Sequence, residues 1–137
     1  MTDKLAVIYV DGGSRGNPGP AGAGAVIKVD NEIEATISKF LGTATNNVAE
    51  YTGLVLALEK AFDLGIKQVD VYMDSELVVK QMKGIYRVKN EKLIPLFVKA
   101  RALASKFPSF KISHVRREHN TVADRLANEA MDNAHIS

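Results

Sequence analysis

The sequence predicts an α/β domain built on one five-stranded mixed sheet with helices on both faces. Three observations carry that prediction. The first 41 residues hold three short apolar runs and no helical stripe. After Thr45 the apolar spacing becomes that of a helix, and from there helical and strand-like segments alternate. The chain has 137 residues, 46% of them hydrophobic, which suits one core. Residues 1–137 are therefore expected to form a single domain.

The run Leu5-Ala-Val-Ile-Tyr-Val10 is too short for a typical helix and apolar throughout, so it reads as a central strand buried on both faces. Gly and Pro across Asp11–Pro20 predict a loop. Two strands follow, Ala23–Val29 and Ile33–Leu41, with Asp30-Asn31-Glu32 as the tight hairpin between them. Tyr51, Leu54, Val55, Leu58 and Phe62 then form the stripe of an amphipathic helix from about Asn46 to Leu64, ended by Gly65. Val69–Met73 is a fourth strand, and Asp74-Ser75 caps a short helix through about Lys83. Leu93, Leu96, Phe97, Ala100, Leu103 and Ala104 carry a third helix. Phe110–Val115 is a last strand, and Thr121 to about Asn133 a last helix. The order β-β-β-α-β-α-α-β-α joins an antiparallel meander of the first three strands to crossover units that supply the parallel fourth and fifth.

Composition removes several functions. Eighteen Lys+Arg against sixteen Asp+Glu leave a net charge of +2, so this is no polybasic tail. Zero Cys excludes a disulfide scaffold, a thiolate zinc site and a cysteine nucleophile. No apolar run approaches the ~20 residues of a membrane span, and Met1-Thr-Asp-Lys-Leu5 lacks a secretory pattern. The expectation is a cytoplasmic monomer with no membrane association.

Four acids stand where chemistry belongs. Asp11 ends the most buried-looking strand and Asp74 ends the fourth. A right-handed crossover through the long helix sets those strands side by side and parallel, ~4.8 Å apart. Two carboxylates at the same ends of adjacent strands repel unless a cation or a proton lies between them. Glu50 lies on one side of the crossover helix with Leu54 and Leu58, leaning towards the sheet. Asp124 falls in the first turn of the last helix. Singly, each acid has an ordinary explanation as a turn former, a cap or a helix-dipole partner. Together they mark the edge where ligands bind in such sheets. Oxygen-only ligands suit Mg²⁺ or Mn²⁺. Gly12–Pro20 lacks the Gly-Lys-Ser/Thr ending of a phosphate loop. Thr45-Asn46-Asn47 offers a helix cap or groove contacts. His119, in Arg116-Arg-Glu-His-Asn120, is a solvated histidine of a mobile loop or a proton shuttle. His114 and His135 show nothing comparable.

These residues resemble type 1 ribonuclease H. The likeness runs through Tyr9-Val-Asp-Gly-Gly-Ser-Arg-Gly-Asn-Pro-Gly-Pro20, Thr45-Asn-Asn-Val-Ala-Glu50-Tyr, Met73-Asp-Ser-Glu76 and Asn120-Thr-Val-Ala-Asp124-Arg-Leu-Ala-Asn128, in order. It implies the ribonuclease H fold and an endonuclease that cuts the RNA strand of RNA–DNA hybrids, leaving 5′-phosphate and 3′-hydroxyl ends. It further implies two Mg²⁺ ions, with Mn²⁺ as a substitute, held by Asp11, Glu50, Asp74 and Asp124. On this reading Asp11 bridges the ions, Glu50 and Asp74 hold the catalytic pair, and Asp124 completes one site. Groove contacts map onto Gly12, Asn17, Asn46 and Asn47, with Ser75 and Glu76 beside them. Thr45 and Asn90 map onto a phosphate-binding position, and His119 onto a product-release histidine.

The chain also departs from the pattern. Many relatives insert a basic helical protrusion where Gly84-Ile-Tyr-Arg-Val-Lys-Asn90 joins two helices directly, with Lys80, Lys83, Arg87, Lys89 and Lys92 around it. Weaker, salt-sensitive substrate binding is the expectation. Glu76 stands where Gln is frequent, and the His119 loop is short. The rivals are another metal nuclease on the same fold, a non-catalytic nucleic-acid module, and a nucleotide binder using the Gly-rich loop.

Overall fold

The computed structural model describes residues 4–133. Met1, Thr2, Asp3 and residues 134–137, His135 among them, lie outside the described residues. The elements run β1 (Leu5–Ser14), β2 (Gly19–Val29), β3 (Glu32–Ala44), α1 (Asn46–Asp63), β4 (Gln68–Met73), α2 (Glu76–Met82), α3 (Ile94–Ala104), β5 (Ser109–His114), a 3₁₀ turn (Arg117–His119) and α4 (Thr121–Asn133). They form one sheet in the order β3-β2-β1-β4-β5. β1, β2 and β3 pair antiparallel, whereas β4 and β5 join β1 in parallel. The predicted mixed sheet is present. Among the described residues, no helix is long and apolar enough to cross a membrane.

Alternation along the strands divides the apolar side chains between two faces. Ile8, Val10, Ala25, Ile27, Val69, Val71 and Met73 share a buried cluster with Tyr51, Leu54 and Leu58 of α1. α4 lies across the opposite face, where a Cβ on Gly24 would stand 2.4 Å from the Ala123 carbonyl oxygen. Glycine at that position lets helix and strand backbones touch. α3 closes the α1 side with Ala100, Leu103 and Ala104. Asp30 and Asn31, with φ of 53° and 68°, turn the β2–β3 hairpin in the left-handed region such two-residue loops need.

Three expectations need correction. β1 does not end at Val10 but continues through Asp11-Gly12-Gly13-Ser14, and β2 begins at Gly19, so the loop shrinks to Arg15–Pro18. Asp11 thus sits within a strand, paired with Gly24. It stands one residue beyond the β1–β4 ladder, whose last rung is Val10–Met73. β3 is longer at both ends than Ile33–Leu41. The segment read as a mobile loop is a 3₁₀ turn, with His119 N–H donating to Arg116 O at 2.9 Å. The α2–α3 connection holds no inserted helix, which agrees with the compact form.

Candidate active site

Beyond the Val10–Met73 rung, the next residues on the two parallel strands are Asp11 and Asp74. α1 reaches the same edge because Gly12 has no side chain: a Cβ there would lie 2.4 Å from Ala49 C and O and 2.6 Å from Glu50 N. That contact presses the first turn of α1 onto β1 and brings Glu50 to the edge. α4 adds Asp124 from the other face. Asp11, Glu50, Asp74 and Asp124 all line one cavity of about 290 Å³, together with Gly12, Gly13, Ser14, Asn46 and Ser75.

The charges are crowded. Burial, then Asp74, then Asp124 push the Asp11 carboxyl from 3.8 up to about 8, against a smaller pull down from the Gly12 N–H. Burial is also the main reason Glu50 rises from 4.5 to about 7, partly offset by the Ser75 hydroxyl and reinforced by Asp74. Glu50 Oε2 is buried without a hydrogen-bond partner. An orphaned carboxylate oxygen beside raised acids is what a divalent cation relieves. The donor set is all oxygen and fits Mg²⁺ or Mn²⁺. Among the described residues, no three His, Asp or Glu side chains are drawn together tightly enough to grip an ion as they stand. The carboxylates line one cavity instead.

The amide groups are organised beside it. Asn46 Oδ1 accepts from Ser14 N at 2.7 Å and Ser14 Oγ at 3.2 Å, and Asn17 Oδ1 accepts from Asn46 N at 3.1 Å. Their carbonyl ends are engaged with the protein. Thr45 caps α1, its Oγ1 accepting from Val48 N at 3.2 Å, and Ser75 caps α2 through Val78 N at 3.2 Å.

Other expected residues lie elsewhere. Asn47 is next to Asn46 but does not line the cavity. Glu76 pairs with Lys80 on the outer side of α2, and that ammonium stands 5.0 Å from the Tyr86 ring centre. Asn90 Oδ1 accepts from Lys92 N at 2.8 Å in the turn before α3, outside the cavity lining. His119 is not brought to the acids: its exposed ring lies 3.9 Å from Glu118, against a separate cleft formed by Tyr9, Val26 and Lys28. The short loop closes into the 3₁₀ turn, which sends Arg117 to the acid cavity in its place. Arg117 Nη2 stands 3.4 Å from Asp124 Oδ1.

The chain matches the reverse transcriptase-like family over residues 9–130. It is 52% identical over 130 residues to the bifunctional protein Rv2228c of Mycobacterium tuberculosis, covering 93% of this chain and 36% of that protein. It is 46% identical over 127 residues to ribonuclease HI of Halobacterium salinarum, covering 92% and 64%. The chain thus spans about a third of the first relative and less than two thirds of the second. The solved N-terminal RNase H domain of Rv2228c superposes with a TM-score of 0.91 at 52% identity, covering 93% of this chain and 99% of that one. LC11-RNase H1, solved in complex with an RNA/DNA hybrid, gives 0.90 at 43%, covering 95% and 99%. The chain belongs to the ribonuclease H family.

In this ribonuclease H domain, sequence reading missed Arg15, Arg117, Asn128 and Met131, which also line the acid cavity. Asn128 had a legible signal. It follows Asp124 by one helical turn, and its Nδ2 donates to Asp124 O at 2.9 Å. Arg117 had none, because its placement depends on how the β5–α4 connection folds.

Proposed function

We propose that this domain is an endonuclease that hydrolyses the RNA strand of RNA–DNA hybrids. One observation carries the reading: four carboxylates, from β1, the residue after β4, α1 and α4, line one cavity beside Asn46 and the Gly12–Ser14 backbone. Asp11, Glu50, Asp74 and Asp124 would hold two Mg²⁺ ions, or Mn²⁺ in their place. When bound, the ions supply water activation and neutralisation of charge at the phosphate. Asn17 and Asn46 present amide donors to the groove, and 2′-hydroxyl contacts there select RNA on one strand only. Arg117 adds a positive charge at the rim. The water oxygen joins phosphorus as the P–O3′ bond breaks, which leaves 5′-phosphate and 3′-hydroxyl ends. No side-chain nucleophile is required, consistent with a chain without Cys.

The test is cleavage of a labelled hybrid at low salt with Mg²⁺, Mn²⁺ or chelator, beside duplex RNA and duplex DNA. Metal-dependent cutting of the hybrid's RNA strand is the expected result. A folded protein that binds hybrids and cuts none of the substrates would overturn the catalytic reading in favour of a binding module.

A further inference from the structure

The polar side chains buried among the described residues are Asp11, Gln81 and Asn120. Asp11 belongs to the acid cavity. Gln81 Oε1 accepts from Tyr51 Oη at 2.6 Å, a core bond between α1 and α2. Asn120, 1% exposed, has no part in the function proposed above.

Its Nδ2 donates to Val10 O at 2.8 Å and lies 3.4 Å from Asp74 Oδ1. Both partners are acceptors, so the amide stands one way only, with nitrogen towards them. That orientation leaves Oδ1 buried with no hydrogen-bond partner. An unpaired buried acceptor is costly, and an apolar side chain of similar size would avoid it. The cost falls where three acid-bearing segments converge. Val10 precedes Asp11 on β1, and Asp74 is touched directly. Asn120 O accepts from Asp124 N at 3.1 Å, which starts α4.

We propose that Asn120 is a positioning residue that joins the end of β1, the Asp74 carboxylate and the start of α4 into one frame for the cations. The inference rests on the four-carboxylate reading above. An uncharged donor suits this task because it fixes the rotation of the Asp74 carboxylate without cancelling its charge. Arg117 does the opposite at Asp124: it is charged, and its side chain is 76% exposed. Groups that orient metal-ligating side chains typically change metal affinity or activity by about 10- to 100-fold when removed.

The test compares wild type with Asn120→Ala and Asn120→Asp. Asn120→Asp keeps the side-chain shape, replaces the donor with an acceptor, and carries the test if Asn120→Ala does not fold. Three quantities are measured: the rise in thermal midpoint on titrating Mg²⁺ or Mn²⁺ without nucleic acid, hybrid affinity in chelator, and the Mg²⁺ dependence of hybrid cleavage. Both variants should need about 10-fold more metal or beyond for half-effect, with hybrid affinity and KM unchanged. Charge alone would make Asn120→Asp bind cations more tightly, so weaker binding there isolates the lost donor. Metal titrations that coincide with wild type, with only a lower thermal midpoint, would overturn the inference and make Asn120 a packing residue. A wild type that neither responds to metal nor cleaves would instead overturn the carboxylate reading itself, and this inference with it.

Discussion

Replacing Asp11 with Asn should stabilise the metal-free protein, and the gain should depend on pH in a defined way. In the folded chain the Asp11 carboxyl is raised from 3.8 to about 8, chiefly by burial and then by Asp74 and Asp124. The folded state therefore holds the proton more tightly than the unfolded chain. The stability this contributes is full below about 3.8 and is lost as pH rises through about 8. Each pH unit in that window costs up to about 1.4 kcal/mol. The whole span would set a ceiling on the order of 5 kcal/mol, and sharing of the proton within the acid cluster reduces it. A gain of roughly 2–3 kcal/mol at pH 9 is expected for Asp11→Asn, worth several degrees in thermal midpoint. At pH 4 the two proteins should nearly coincide. The assay is urea or thermal unfolding in chelator at pH 4, 6, 7.5 and 9, repeated with Mg²⁺. The ion should stabilise wild type and narrow the gap, because the charges that repel one another bind it. An Asp11→Asn protein less stable than wild type at pH 9 in chelator, or a gap independent of pH, would refute the reasoning.

Three further outcomes are expected. Asn46→Ala should raise KM for a hybrid more than it lowers kcat, as loss of a ground-state contact does; steady-state kinetics showing equal falls in kcat and kcat/KM would contradict that role. Gly12→Ala would drive a Cβ to 2.4 Å from the Ala49 backbone, so a loss of about 3 kcal/mol or more is expected in urea unfolding, with weaker Mg²⁺ binding as Glu50 is pushed outward. Tyr51→Phe removes the 2.6 Å bond to buried Gln81 and should cost about 1–3 kcal/mol in the same measurement. Hybrid cleavage by Tyr51→Phe should be unchanged below its unfolding range, since neither residue lines the acid cavity.

Legibility in the sequence follows the range of the interaction. Helices α1 and α3 were readable because their apolar spacing is a local property. The pairing of Asp11 with Asp74 followed from one topological rule, the right-handed crossover, and the two acids do stand one residue beyond the last β1–β4 rung. Glycine was misread for a physical reason. Gly12 looks like a loop former in a one-dimensional pattern, yet it lies in β1, where the Ala49 backbone leaves no space for a side chain. The local signal for a flexible turn is thus identical to the signal for two backbones in contact.

The same limit explains the exchange of His119 for Arg117. Both occupy one short polar segment, and nothing in their order says which faces the acids. The 3₁₀ turn decides it, turning Arg117 to Asp124 and His119 to the far cleft. Asn120, the next residue, could be read only as a helix start, because its partners Val10 and Asp74 lie 110 and 46 residues away. A side chain whose role is to join distant segments leaves no periodic trace. Its mark is instead an acceptor buried without a partner, retained beside the four acids that the sequence does display.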